Sequence, residues 1–166
     1  MANLIPIPIF IILVMLQLAI FGNLPLLQGT ADIVMLALIA WTMQKGTKYA
    51  YIYGFAIGTF VGLISAIPVF IYIGTYTMVV FLARYLQQRI WQMPILAMLA
   101  LTVLGTFICH LVSILYLQIS QIPISFADSF LLVTLPSLLF NIILAVPIYL
   151  FAVDLANWLH PNMENE

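Results

Sequence analysis

With 66% apolar and only 5% charged side chains over 166 residues, the chain cannot clothe a surface that faces water, since an ordinary soluble domain carries roughly 25% charged residues. A mean hydropathy of +1.23 makes lipid the expected solvent. The formal net charge of −1 excludes nucleic-acid binding, which needs a clustered basic face, and the single cysteine, Cys109, excludes an internal disulfide and a cysteine-built metal site.

Each spanning helix needs roughly 20 apolar residues. The expected fold is therefore all-α, an integral membrane bundle of about six transmembrane helices forming one domain over residues 1–166. Met1-Ala2-Asn3 lacks the basic region of a cleavable signal and runs straight into Leu4–Phe21, which reads as a retained first span. Gly22–Thr30 is the first loop. Span two, Asp32–Gln44, is short: it covers only about 20 Å of a roughly 30 Å core, so neighbours should cover it, or it begins inside the preceding loop. Span three covers Tyr49–Ala66. Pro68 then imposes a break, because proline disfavours helix at the residue before it, and span four follows over Val69–Leu86. Span five is Met93–Ile119, span six is Ser129–Leu155, and residues 156–166 form a short cytoplasmic tail.

The basic residues set the orientation. Lys45 and Lys48 lie between spans two and three, and Arg84 and Arg89 lie between spans four and five. In a six-span chain those loops share one side, which the positive-inside rule makes cytoplasmic. Both termini then face the cytoplasm. Trp41, Trp91 and Trp158 fall at helix ends on that same side, as an aromatic belt requires, and with the four cations they read as cytoplasmic anchors.

Few polar residues interrupt the spans. Ala50, Gly54, Gly58, Gly62 and Ala66 place a small residue at every fourth position of span three, a face on which another backbone can pack closely, either within the chain or from a partner. His110 is an intramembrane ionisable group. With Phe107, Thr106, Ser113 and Ile114 as its helical neighbours, it reads as a neutral imidazole bonded to a hydroxyl or a carbonyl. Asn141 lies in span six between Pro136 and Pro147, which are expected to kink the helix. Asp32 and Asp128 sit at the outer starts of spans two and six and read as helix caps, Ser125-Phe-Ala-Asp128 having the spacing of a capping box. Asp154, at a helix C-terminus, should attract a cationic neighbour. Cys109 reads as a small hydrophobe. The chain carries no catalytic constellation and no cofactor motif, and one histidine is not a metal site. Lys45-Gly-Thr-Lys48 lacks the spacing of a phosphate-binding loop.

Three segments resemble those of the MreD family, the rod-shape-determining membrane proteins of bacteria. Asp32-Ile-Val-Met-Leu-Ala-Leu-Ile-Ala-Trp41 followed by Gln44-Lys45-Gly46 is similar to the family's acid-led second span and its basic-glycine turn. Gly54-Phe-Ala-Ile-Gly58-Thr-Phe-Val-Gly62-Leu-Ile-Ser65 is similar to its glycine-rich third span. Pro136-Ser-Leu-Leu-Phe-Asn141-Ile-Ile-Leu-Ala-Val-Pro147 is similar to its last span. Leu63 stands where many members carry an aspartate, Ala66 where they carry a glycine, and Ala31 where a proline often precedes the acid.

The resemblance implies a non-enzymatic scaffold subunit of the cell-elongation and peptidoglycan-synthesis machinery, in the bacterial cytoplasmic membrane. It would bind an MreC-like protein and, through it, couple the MreB filament to a RodA-type glycosyltransferase and a penicillin-binding transpeptidase. The family is also distantly similar to the substrate-binding S-components of energy-coupling-factor transporters. That similarity implies the alternative, a vitamin- or cation-binding transporter subunit, whose solute would meet polar groups such as His110, Asn141, Ser113, Thr59, Ser65 and Thr102.

Overall fold

The computed structural model describes residues 6–21, 29–44, 47, 49–89, 92–123 and 125–159. All their regular structure is helical, with no strand among them. Helix α1, Pro6–Leu16, continues through a π turn at Gln17–Phe21. It is followed by α2 (Ile33–Thr42), α3 (Ala50–Ile64), α4 (Val69–Arg89) and α5 (Pro94–Ile119). The last helix, α6, runs over Phe126–Leu159. By length and composition α4, α5 and α6 can each cross a membrane; the apolar helices in the first third of the chain are shorter.

The short second span becomes the centre of the molecule. Helix α2 packs against every other helix. Its 10 residues rise about 15 Å, half of a bilayer core. Val34, Met35, Leu36, Leu38, Ile39 and Ala40 are buried, so apolar side chains face outward all round the helix and all of them meet protein. A helix that is apolar on every face belongs in a core. Trp41 is 6% exposed and joins this cluster. That corrects its assignment as an anchor at the membrane interface: the indole is packed inside the bundle, and within α2 only Ile33 and Ala37 are half-buried.

The glycine face of α3 is consumed inside the chain. A Cβ on Gly54 would lie 3.0 Å from Val80 Cγ2, one on Gly58 2.8 Å from the Ile73 Cα, and one on Gly62 2.7 Å from the Val69 Cα. Absence of side chains there lets α3 and α4 touch backbone to backbone, which replaces the hydrophobic drive that lipid does not supply. Ala50 is buried on the same face. Of the two readings of Ala50, Gly54, Gly58 and Gly62, packing within the chain is the one the structure shows, with α4 on the face that a partner would have used. Ala66 leaves the row altogether: α3 stops at Ile64, Ser65 is its extended C-cap, and Ala66 is exposed beyond it.

At the far end of α4, Arg84 donates to Gln87 Oε1 at 3.2 Å, and the Arg89 guanidinium lies 5.4 Å from the centroid of the Tyr85 ring. Trp158 is exposed near the end of α6. Lys45, Lys48 and Trp91 lie outside the described residues. Asp154 is exposed and forms no ion pair with a described residue, so the expected cationic neighbour is not found among them. In α6 the chain passes Pro147 without a break, while a π turn at Phe130–Thr134 precedes Pro136. There the Leu135 N–H reaches back to the Phe130 carbonyl, a local rearrangement just before the residue that has no N–H to offer.

A matched pair of substitutions tests the α3–α4 contact. Gly58→Ala should destabilise the protein by about 1–3 kcal/mol, as overpacking does, because its new methyl meets backbone that cannot swing aside. Gly74→Ala, where a Cβ meets nothing within 4 Å, should leave the apparent melting temperature in detergent unchanged or raised.

Candidate functional site

The central helix starts inside the bundle, with Thr30 exposed and Asp32 half-buried just ahead of it. Each free N–H group of a helix start costs several kcal/mol in hydrocarbon unless protein satisfies it. Four side chains do so. Asp32 is the N-cap of α2, and its Oδ1 accepts from the Met35 N–H at 2.9 Å. The Asp32 N–H donates to Asn141 Oδ1 at 2.8 Å, and the Thr30 N–H to Ser137 Oγ at 3.0 Å, both on α6. Gln17, in the π turn of α1, accepts from the Val34 N–H at 3.0 Å. Asn141 uses both ends of its amide. Its Nδ2 donates to Thr106 Oγ1 at 2.9 Å, and that hydroxyl donates to the Thr102 carbonyl at 2.8 Å. Helix α2 is thus bolted to α6, and α6 to α5, by buried polar bonds.

The other end of α2 is treated alike. Gln44 Nε2 donates to the Ala40 carbonyl at 2.8 Å, Thr47 Oγ1 to the Trp41 carbonyl at 3.0 Å, and Gln87 Nε2 from α4 to the Met43 carbonyl at 2.8 Å. Side-chain amides and hydroxyls stand where solvent would cap a surface helix.

Beside the start of α2 lies a cavity of about 640 Å³. Its inner wall is Asp32 with Tyr76, whose hydroxyl straddles the carboxylate at 3.1 Å from Oδ1 and 2.9 Å from Oδ2. Tyr72 stands one turn before Tyr76, ring centroids 6.2 Å apart and planes tilted by 54°. Ser65 donates to its hydroxyl at 2.8 Å, tying the end of α3 to the wall. The opposite wall comes from α5 and α6. His110 Nδ1 lies 3.2 Å from Thr134 Oγ1, a hydroxyl that the π turn of α6 carries, and Ser113 donates to the Cys109 carbonyl of its own helix. Cys109 lines the cavity too, its sulfur 3.8 Å from that of Met35. Asp128 and Ser125 belong to the rim. Ser125, rather than Asp128, is the N-cap of α6: its hydroxyl accepts from the Asp128 N–H at 3.4 Å, and Asp128 sits in the first turn. The helix begins at Phe126 rather than Ser129, so Ser125 takes the cap position of the capping box and Asp128 falls in the first turn, which corrects the cap assignment of Asp128.

The cavity gathers some of the polar residues singled out above and leaves others aside. His110, Ser113, Asp32 and Asp128 line it. Asn141 and Thr102 belong to the bolt next to it, and Thr59 bonds to the Phe55 carbonyl within α3. Tyr72, Tyr76 and Gln17 are additions. The i, i+4 spacing of the two tyrosines was their one visible signal, since it places them on one face of a helix. Among the described residues no three imidazole, thiol or carboxylate groups come together as a metal site. No protein family, no curated protein and no solved structure matches the chain.

Because Asn141 alone accepts from the Asp32 N–H, Asn141→Ala should cost about 1–3 kcal/mol, the range for a buried donor left unpaired. Ser113→Ala removes only a bond within its own helix and should cost well under half as much. Thermal unfolding of both variants in the same detergent checks the contrast.

Proposed function

We propose that this chain is an MreD-like scaffold of the bacterial cell-elongation machinery, a six-span protein of the cytoplasmic membrane with both termini inside the cell. It is non-enzymatic and holds an MreC-like partner, through which a RodA-type glycosyltransferase and a penicillin-binding transpeptidase are organised. One observation carries the reading. The acid-led segment and the Pro-Ser…Asn segment, two of the three stretches that resemble the family, bond directly to each other through Asp32 with Asn141 and Thr30 with Ser137. The third, the glycine-rich segment, closes on α4. The residues behind the resemblance are thus those that fix helix against helix, as expected of a protein whose task is to present a rigid shape.

The polar cavity favours a second reading, the substrate-binding subunit of a vitamin or cation transporter, because a solute site needs several converging polar groups. Affinity purification from the source membrane, followed by native mass spectrometry, separates the two. The scaffold reading expects an MreC-like protein to be retained; recovery of transporter subunits in its place would reverse the order. Reporter fusions at Glu166 and within Gly22–Thr30 should report a cytoplasmic C-terminus and an external loop. An external C-terminus would refute the six-span topology.

A further inference from the structure

We propose that the cavity beside the start of α2 binds the ammonium group of a small organic amine, with Asp32 as its counter-charge and the Tyr72–Tyr76 pair as its aromatic wall. The site requires neither reading of the whole chain, since it rests on the cavity alone.

The volume of about 640 Å³ lies within the roughly 300–1,000 Å³ of small-molecule sites. Its charge is one-sided. Asp32 and Asp128 line it, no lysine or arginine among the described residues does, and neither carboxylate forms an ion pair with a described residue. A charged carboxylate in an apolar bundle is costly without a cation, so a bound cation would stabilise the ionised form of Asp32 and an anion would not. Asp32 keeps capacity for a cation. A carboxylate offers about four lone-pair positions, and three donors use it here: the Met35 N–H, the Gln17 side chain from α1 and the shared Tyr76 O–H. Tyr76, 1% exposed, is pinned in place by that contact, which fixes the ring next to the charge.

The wall decides between kinds of cation. A divalent ion is held by several charged or imidazole ligands converging on one point, and no three His, Cys, Asp or Glu side chains come together among the described residues. An alkylammonium needs less: one counter-charge and an aromatic face within about 6 Å. Asp32 with Tyr72 and Tyr76 is that combination. The amine could come from solution or from the ethanolamine headgroup of a lipid, since the rim is built where α5 gives way to α6, at Pro123, Ser125 and Asp128.

The test uses the full chain in detergent, titrated calorimetrically with tetramethylammonium and with ethanolamine, and with neopentyl alcohol and ethylene glycol as uncharged counterparts. Saturable binding of at least one cation, absent for its neutral counterpart, is expected. Asp32→Asn should weaken it at least tenfold while folding normally, because asparagine caps a helix as well as aspartate does. Tyr72→Leu removes part of the aromatic wall without touching the α2 cap and should weaken binding severalfold. Native mass spectrometry of protein taken from phosphatidylethanolamine-containing membranes separates the sources. Retained lipid that Asp32→Asn loses assigns the headgroup, and amine binding without retained lipid assigns a soluble ligand. Equal binding of the neutral probes, unchanged binding by a folded Asp32→Asn, or no binding of either amine to the folded wild type would overturn the proposal.

Discussion

A helix that begins in the middle of a membrane protein must find protein groups for its first N–H donors, and this requirement organises the molecule. Helix α2 is too short to carry its ends to water. Gln17, Asp32, Ser137 and Asn141 stand in for solvent at its start, and Gln44, Thr47 and Gln87 do so at its end. These bonds come from α1, α4 and α6 as well as from α2 and its flanks. The positions of the long helices are therefore tied to the needs of the short one. The cavity follows from the same arrangement, because the carboxylate that caps α2 also forms its floor.

Two kinds of adhesion divide the work. Between α3 and α4 it is van der Waals contact, with glycines at 54, 58 and 62 bringing main chains together. Between α2, α6 and α5 it is a chain of hydrogen bonds through Asn141, Thr106 and Thr102. The first tolerates no added bulk, and the second no lost partner. Lipid competes with neither, since acyl chains cannot donate hydrogen bonds and cannot enter a seam between two backbones.

Much of the fold was legible because composition and breaks depend on local chemistry. Pro68 marks a helix start that the structure keeps, span five begins within a residue of the expected Met93, and the brevity of span two already pointed to cover by neighbours. The glycine row was legible as a packing face, but not whose helix it would meet. Sequence spacing defines a face, and only tertiary structure says what lies opposite. Trp41 misled because an indole near a charged loop normally marks an interface, whereas here it is packed inside the bundle. The site was legible only in fragments. His110 and Asn141 stood out as polar groups in apolar runs, while Tyr76 did not, since tyrosines are common in spans. Asp32 was read as a cap, and it is one; that the same carboxylate faces a cavity depends on α4, more than forty residues along the chain.

The placement of the partners of α2 has a consequence for biosynthesis. The acceptors for the Thr30 and Asp32 N–H groups are separated from them by 107 and 109 positions along the chain, near its C-terminal end. When α2 leaves the ribosome, Ser137 and Asn141 have not yet been made. The segment must wait, with donors unmet, at the membrane surface, in the insertion machinery or in a loose early bundle. Its final seating is a late event, completed when α6 arrives. A chain truncated before α6 would lack the interior bonds as well as the last helix, and would present quality-control proteases with a central segment that belongs neither in lipid nor in water.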